Sequence, residues 1–260
     1  MLLALAVLLL LACLLPPVAT WARRYESVEA VQFTLLAVVV PALLVLGAPW
    51  RLLGLATRHP VPTDEDGVPV DGDEKLKPVD RLARGRRRHP ESIRTVGFAL
   101  AYMAGVILWR IPAAVDALAR HRWMVVVEAV TLGAVGVGLW LELVESPPLV
   151  PRLSRPSRVA LAAVSMWTIW VMGYLVAMSR ASWYPAYVHH AGSGLSLAAD
   201  QQLGTVMIVV ISGCAFVPVV YGNLIRWLQS EEDPDEEMQR MLRTERIRGR
   251  TAGGGPAGPA

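Results

Sequence analysis

The sequence predicts an all-α protein, a polytopic integral membrane bundle of about six transmembrane helices. Hydrophobic residues make up 54% of the 260 residues, which is more than a soluble domain usually contains. Apolar runs recur along the chain, each near the roughly 20 residues that cross a hydrocarbon core of about 30 Å. These runs lack the alternation of a strand, and in lipid only helices or closed barrels satisfy the backbone. We therefore expect a helical bundle whose surroundings are the lipid bilayer.

The first apolar run covers residues 1–20. No Lys or Arg precedes it, although a secretory signal peptide normally begins with such a charge, and we expect an uncleaved first span. Five further runs each predict one span: 28–50, 95–114, 123–143, 159–179 and 205–225. Together they predict a six-span transmembrane domain over residues 1–228, followed by a charged cytoplasmic helix and flexible tail over 229–260.

Arginine and lysine residues concentrate in alternate loops. Most lie in the 51–94 loop, the 145–158 loop and the segment after Arg226, and the positive-inside rule places these loops in the cytoplasm. With six spans, both termini are then cytoplasmic. The loop over residues 57–94 is rich in Pro, Gly and charge, so we expect it to be disordered or only locally ordered. Because the basic residues follow topology rather than one stripe, nucleic acid is not expected as a partner.

Polar side chains inside spans are costly and often functional. Glu29 and Gln32 share one face near the outer end of the second span, and Glu128 lies near the same end of the fourth. A loop rich in Tyr, His and amide side chains reaches the same level. The sequence thus predicts an extracytoplasmic functional cluster of Glu29, Gln32, Glu128, Tyr184, Tyr187, Asp200, Gln201 and Gln202.

A transition-metal site is one hypothesis for this region. Imidazole and thioether ligands suit copper, and the candidate ligands are His121, Met124, His189 and His190. The alternative is structural: Asp200 caps the sixth helix, the histidines are solvated, and Glu29 and Glu128 pair with arginines. The arginines considered are Arg23, Arg24, Arg110 and Arg122. Copper is therefore a possible ligand, and no other cofactor is predicted.

Catalytic motifs are absent from the sequence. It contains no GxSxG elbow, no GxxxxGK[ST] phosphate loop and no HExxH, so we do not expect an enzyme. Cys13 and Cys214 lie in apolar runs and form no CxxC pair, which predicts neither a disulfide nor a zinc site. A transporter is a weaker alternative, because Glu29 and Glu128 lie near one surface only.

Several short segments resemble the cytochrome c oxidase assembly proteins of the CtaG type. They are Tyr184-Pro185-Ala186-Tyr187, Ala199-Asp200-Gln201-Gln202-Leu203-Gly204, Leu44-Val45-Leu46-Gly47-Ala48-Pro49, and Leu108-Trp109-Arg110-Ile111-Pro112 followed by Asp116. The resemblance covers about residues 28–227. It implies a protein of the bacterial plasma membrane, cytochrome c oxidase subunits as partners, and a part in copper delivery. It also places the Asp200 segment and the two tyrosines in an outward-facing functional region.

The sequence departs from that family where histidines usually stand on helices. The family pattern His-Met-x-Gln-His corresponds here to Glu29-Ala30-Val31-Gln32-Phe33, Arg110 replaces the histidine of Trp-His-x-Pro, and Ala129 follows Glu128 where Glu-His is usual. The chain thus resembles a divergent member without the helix-borne histidines. Two functions stay open: an oxidase assembly factor with copper delivery on the extracytoplasmic side, or a non-metal-binding scaffold or accessory subunit of a respiratory complex.

Overall fold

The computed structural model describes residues 1–55, 77–88, 92–179, 183–188 and 196–231. In these ranges the regular structure is helical apart from one isolated β-bridge between Ser146 and Leu149. A π-helical turn, Leu35–Val39, joins α3 to α4. The α-helices are α1 (Leu2–Leu14), α2 (Val18–Trp21), α3 (Glu26–Thr34), α4 (Val40–Leu46), α5 (Pro49–Leu52), α6 (Pro78–Arg88), α7 (Ser92–Trp109), α8 (Pro112–Arg120), α9 (Met124–Leu143), α10 (Arg155–Met178), α11 (Pro185–Val188) and α12 (Leu197–Glu231).

Four helices in the described ranges are long and apolar enough to cross a bilayer: Glu26–Leu46, Met124–Leu143, Arg155–Met178 and Leu197–Gln229. A bent pair, Arg94–Trp109 and Pro112–Arg120 at 66°, makes a fifth if it counts as one span. The chain is therefore a helical, multi-pass membrane protein, with four or five candidate spans among the described residues where the sequence predicts six. The difference is α1, whose 13 residues extend only about 20 Å at 1.5 Å per residue.

The N-terminal helix α1 lies antiparallel to the α3–α4 span. At one end, the backbone of Leu3 lies beside Gly47. At the other end, Gln32 Nε2 donates a hydrogen bond of 2.6 Å to the carbonyl oxygen of Cys13. Because Gln32 is buried, this bond satisfies an amide that would otherwise be costly in the bundle interior. The contact places the predicted site residue Gln32 in a structural role.

We expect Gly47→Ala to destabilise the bundle by about 1–3 kcal/mol, the usual range for overpacking. A Cβ at Gly47 would lie 2.9 Å from both Leu3 N and Leu43 O, and backbone atoms cannot rotate away as a side chain can. Thermal unfolding of purified protein in detergent measures the effect. Gly133→Ala is the matched control, since nothing lies within 4 Å of its added carbon. Equal melting temperatures for the two variants would contradict this packing.

The π-helical turn Leu35–Val39 precedes Pro41, which has no N–H to donate to the preceding turn. A wider turn at this point accommodates the missing bond. The Pro41 ring then packs against Gly136 of α9, where a Cβ would come within 2.7 Å of it. Residue size at this contact therefore sets how closely the second span approaches α9.

The apolar core lies where α9, α10 and α12 meet the α3–α4 span. Trp140 stacks on Phe216 with ring centroids 5.1 Å apart, and Phe33, Tyr102 and Leu132 are buried in the same cluster. Many other apolar side chains, such as Val130, are exposed on the outside of the bundle. An apolar exterior of this kind fits a lipid environment, in which burial alone does not drive helices together.

The two ends of the bundle differ in composition. We call the end formed by Glu26, Tyr184, Tyr187 and Asp200 the tyrosine end. We call the end formed by Arg86, Glu142 and Arg152 the arginine end. The loop over 57–94, predicted to be disordered or only locally ordered, contributes a helix, α6, to the arginine end, where Ala83 and Arg86 are buried. The predicted domain boundary at 228 falls within α12, and the tail from residue 232 lies outside the described residues.

Candidate functional site

Asp200, in the first turn of α12, binds the N-terminus of α3. Its Oδ2 accepts a hydrogen bond of 2.7 Å from Glu26 N, and its Oδ1 accepts bonds from Ser27 N at 3.2 Å and Ser27 Oγ at 2.5 Å. The first N–H groups of a helix have no partner within the helix, so this carboxylate acts as a cap supplied from a distant segment. The structural alternative expected Asp200 to cap its own helix, α12. Its carboxylate instead joins α12 to the start of α3.

Arg110 and Glu29 form a buried ion pair, and both side chains are about 96% shielded from solvent. The guanidinium carbon also lies 5.3 Å from the centre of the Phe33 ring and 5.1 Å from that of Tyr184, a cation–π arrangement. Of the four arginines considered from the sequence, Arg110 is the partner of Glu29. The residue that stands at the family's Trp-His-x-Pro position is thus fully engaged within the chain.

Two tyrosines fix the short helix α11 over this pair. Tyr184 Oη donates to the carbonyl oxygen of Arg110 at 3.1 Å, and Tyr187 Oη donates to that of Ala22 at 2.9 Å. Burial raises the pKa of Tyr184 to about 12, although the nearby Arg110 charge lowers it in part. Burial also raises the pKa of Tyr187. Both phenols therefore stay protonated, and act as donors, at physiological pH.

Neighbouring contacts attach α11 to the spans around it. Asp116 Oδ1 accepts a hydrogen bond of 3.0 Å from Ala186 N, and Gln201 Oε1 accepts one of 3.2 Å from Trp183 N. Gln201 Nε2 donates to the carbonyl oxygen of Val176 at 2.5 Å. These bonds join α8, α10, α11 and α12, so the tyrosine end is a connected polar network rather than a set of independent loop side chains.

Two carboxylate oxygens in this region lack a hydrogen-bond partner among the described residues. They are Glu29 Oε1 and Glu128 Oε1, and Glu128 is only 1% exposed. A cavity of about 20 Å³ borders Glu29, Gln32 and Tyr187. That volume is sufficient for a single water molecule. The network can therefore hold a small polar species beside Glu29.

Comparison with known proteins assigns the chain to a family. The family model of the cytochrome c oxidase caa3 assembly factor (Caa3_CtaG) matches residues 1–230. The chain belongs to this family of assembly factors. No curated protein and no solved structure matches it. The resemblance suggested by the Tyr184 and Asp200 segments is thereby confirmed.

Most of the predicted cluster of this assembly factor meets at the tyrosine end. Arg110 links Glu29 to Tyr184, and the Tyr184 and Tyr187 rings have centroids 6.5 Å apart. Asp200 and Gln201 bond neighbouring segments at the same end. Gln32 and Glu128 are also buried, and Gln32 bonds α1 instead of the tyrosine loop. Gln202 differs, because its side chain is exposed on α12. The geometry thus groups most of these residues and separates Gln202 from them.

The predicted copper ligands are not brought together in the described part of the chain. His121 is exposed, with its ring centroid 6.4 Å from that of Trp123, and Met124 is half-buried nearby. His189 and His190 lie outside the described residues. Within the described ranges, no group of three or more His, Cys, Asp or Glu side chains is arranged to hold a metal ion. Copper binding stays a prediction that depends on the two adjacent histidines.

Sequence reasoning missed Glu26 and Ser27, whose backbone amides bind Asp200. The predicted span began at residue 28, after both of them. An acidic residue and a serine just before an apolar run are a usual signal of a helix N-terminus, and would have placed the helix start correctly. Arg86 and Glu142 were also not predicted as partners, although a glutamate at position 142 inside a predicted span was a visible signal.

Proposed function

We propose that this assembly factor acts as a non-catalytic membrane scaffold in the biogenesis of cytochrome c oxidase, holding an oxidase subunit at its tyrosine end. One observation carries the proposal: the polar groups of Asp200, Arg110, Tyr184, Tyr187 and Gln201 are bonded to other segments of the same chain. Such a network stabilises a defined surface. It leaves few ligand atoms that a metal ion could take without breaking the fold.

A deletion strain tests the scaffold proposal. We expect loss of assembled haem–copper oxidase in membranes of that strain, measured by reduced-minus-oxidised haem spectra, with recovery on expression of the wild-type chain. Cross-linking from Gln202, the exposed cluster residue, should capture an oxidase subunit during assembly. Normal oxidase content in the deletion strain would overturn the proposal, whatever the metal content of the purified protein.

Copper delivery is the second candidate function, and His121 and Met124, which lie close in sequence at the same end as the tyrosines, would supply two of its ligands. Its ligand set would be completed by His189 and His190. Under the scaffold proposal, we expect the purified protein to hold no stoichiometric copper after incubation with Cu(I) and desalting. Metal analysis checks this. Copper that is retained by the wild type and lost from the His189→Ala/His190→Ala double variant would establish copper delivery instead.

For the topology, we propose six crossings in the bacterial plasma membrane, with both termini cytoplasmic. The crossing that is added to the five candidates is the N-terminal segment, α1 and α2 together. Two contacts support it, because Leu3 lies beside Gly47 at the arginine end while the Ala22 carbonyl accepts a bond from Tyr187 at the tyrosine end. These 20 residues therefore run alongside the whole α3–α4 span. The loop arginines favour the cytoplasm for the arginine end.

Cysteine labelling checks this orientation. In a Cys214→Ser background, we expect Ser196→Cys to react with a membrane-impermeant maleimide in intact cells and Ser157→Cys to react only after lysis. Both serines are exposed, Ser196 at the tyrosine end and Ser157 in the first turn of α10 at the arginine end. The remaining cysteine, Cys13, is buried. The reverse labelling pattern would place the tyrosine end in the cytoplasm.

A further inference from the structure

A second buried charge cluster lies at the arginine end, far from the tyrosine network. Arg86 reaches from α6 to the last turn of α9, where its Nη2 donates to Glu142 Oε1 at 2.9 Å and to the carbonyl oxygen of Leu141 at 3.2 Å. Arg86 is 7% exposed and Glu142 is fully buried. The oxidase assembly role assigned to the tyrosine end makes no use of these residues.

Arg152 adds a second positive charge to the cluster. Its backbone N–H donates to Glu142 Oε2 at 3.1 Å, so each oxygen of the carboxylate already accepts one hydrogen bond. The guanidinium of Arg152 does not take part in these bonds. Its Nε and Nη1 atoms are buried and have no hydrogen-bond partner in the described ranges. Arg86 and Arg152 bond the two oxygens of the same carboxylate, which places the Arg86 guanidinium beside the backbone of Arg152. Burial lowers the pKa of Arg86, and the Glu142 carboxylate raises it in part.

Counting only the residues that the structure describes, the cluster has two cations, one carboxylate and three buried donor nitrogens without an acceptor: Arg86 Nε, Arg152 Nε and Arg152 Nη1. A buried donor without a partner destabilises the folded protein, and a charged donor does so more strongly. The next acid along the chain does not supply the acceptor, because Glu145 pairs with Arg158 Nη1 at 3.4 Å and is half exposed. An additional anion would satisfy both the charge and the hydrogen bonds.

We propose that Arg86 and Arg152 form a binding site for a phosphate group, of the kind presented by an anionic phospholipid headgroup. The planar guanidinium forks match phosphate oxygens in two-bond geometry. The cluster lies at the end of the α9 span, which is where headgroups meet a membrane protein, and basic side chains at that depth bind anionic lipids. A lipid held between α6 and the α9–α10 loop would attach the amphipathic helix α6 to the bundle.

The test uses the full-length protein, purified in a neutral detergent, and measures lipid adducts by native mass spectrometry. Phosphatidylglycerol is compared with phosphatidylcholine, and inorganic phosphate is added alone as the soluble source of the same group. We expect saturable binding of phosphatidylglycerol that is about tenfold weaker in Arg152→Gln, since the variant loses charged hydrogen bonds to the phosphate group. Arg152 is the residue changed because its side chain bonds nothing in the fold described here.

Arg81→Gln is the matched control, because Arg81 is an exposed residue of α6 at the same end and the variant loses the same charge. It should bind phosphatidylglycerol as the wild type does. Competition by millimolar inorganic phosphate would identify the free anion as a ligand of the same site, and its absence would restrict the site to lipid. If Arg81→Gln and Arg152→Gln lose affinity equally, or if the wild type shows no preference for phosphatidylglycerol, the site does not exist.

If Arg152→Gln fails to fold, Arg152→Lys is used instead, because it keeps the positive charge but loses the two-bond geometry of the guanidinium. We expect that variant to retain binding with reduced affinity. The wild-type preference for phosphatidylglycerol over phosphatidylcholine remains decisive in either case, since it requires no variant. Oxidase content in the deletion strain is measured separately, so failure of the lipid site and failure of the scaffold role give different results.

Discussion

We expect Arg110→Gln to destabilise the protein by about 3–5 kcal/mol, the range found when one member of a buried ion pair is removed. The variant leaves Glu29 without its partner in a region where both side chains are about 96% shielded. It also removes the cation from between the Phe33 and Tyr184 rings. Since native proteins are stable by only about 5–15 kcal/mol, little of this variant should accumulate as folded protein in membranes.

The measurement is unfolding of the purified variant by heat or denaturant in detergent, together with its abundance in membranes. Arg122→Gln is the control, because Arg122 is exposed near the same end and loses an equal charge. A Glu29→Gln/Arg110→Gln double variant should recover part of the loss, since no unpaired charge is then buried. An Arg110→Gln protein as stable as the Arg122→Gln control would mean that the pair does not hold the tyrosine end together.

The general architecture could be predicted from the sequence because lipid imposes simple rules. Apolar runs of about 20 residues must be helices in a bilayer, and the spans near 123–143 and 159–179 correspond to α9 and α10 within a few residues. The bend at residues 110–111 could not be predicted in the same way, because a single apolar run does not reveal that Arg110 leaves the helix to meet Glu29. Span counting from hydropathy is therefore least secure at such a break.

The sequence could predict which residues form the candidate site, but it could not predict which residues bond to one another. The cost of a polar group in lipid identifies Glu29 and Glu128 as residues that require a partner, and the family resemblance of its segment identifies Asp200. Their partners depend on which helices are neighbours, and residues 26 and 200 are too far apart in sequence for local spacing to connect them. The same holds at the arginine end, where Arg86 was assigned only to a charged loop. Its pairing with Glu142 requires the packing of α6 against α9.

Asp200→Ala is expected to cost about 3 kcal/mol, because hydrogen bonds to a charged acceptor are each worth about 1.5–3 kcal/mol and are not fully additive. The variant leaves Glu26 N, Ser27 N and Ser27 Oγ without an acceptor at a buried helix start. Because Asp200 belongs to α12 and these donors belong to α3, the loss should separate the two spans rather than fray one helix. Unfolding in detergent measures the stability change.

Two further variants distinguish a capping role from a partner-binding role for this residue. Asp200→Asn keeps one oxygen acceptor and should lose less stability than Asp200→Ala, while Gln202→Ala, exposed two residues away, should unfold like the wild type. If Asp200 acts through the fold, oxidase content in complemented cells will fall in the same order as stability across the three variants. If Gln202→Ala is fully stable and still lowers oxidase content, the exposed face of α12 contacts the oxidase subunit, with Asp200 holding that face in position from behind.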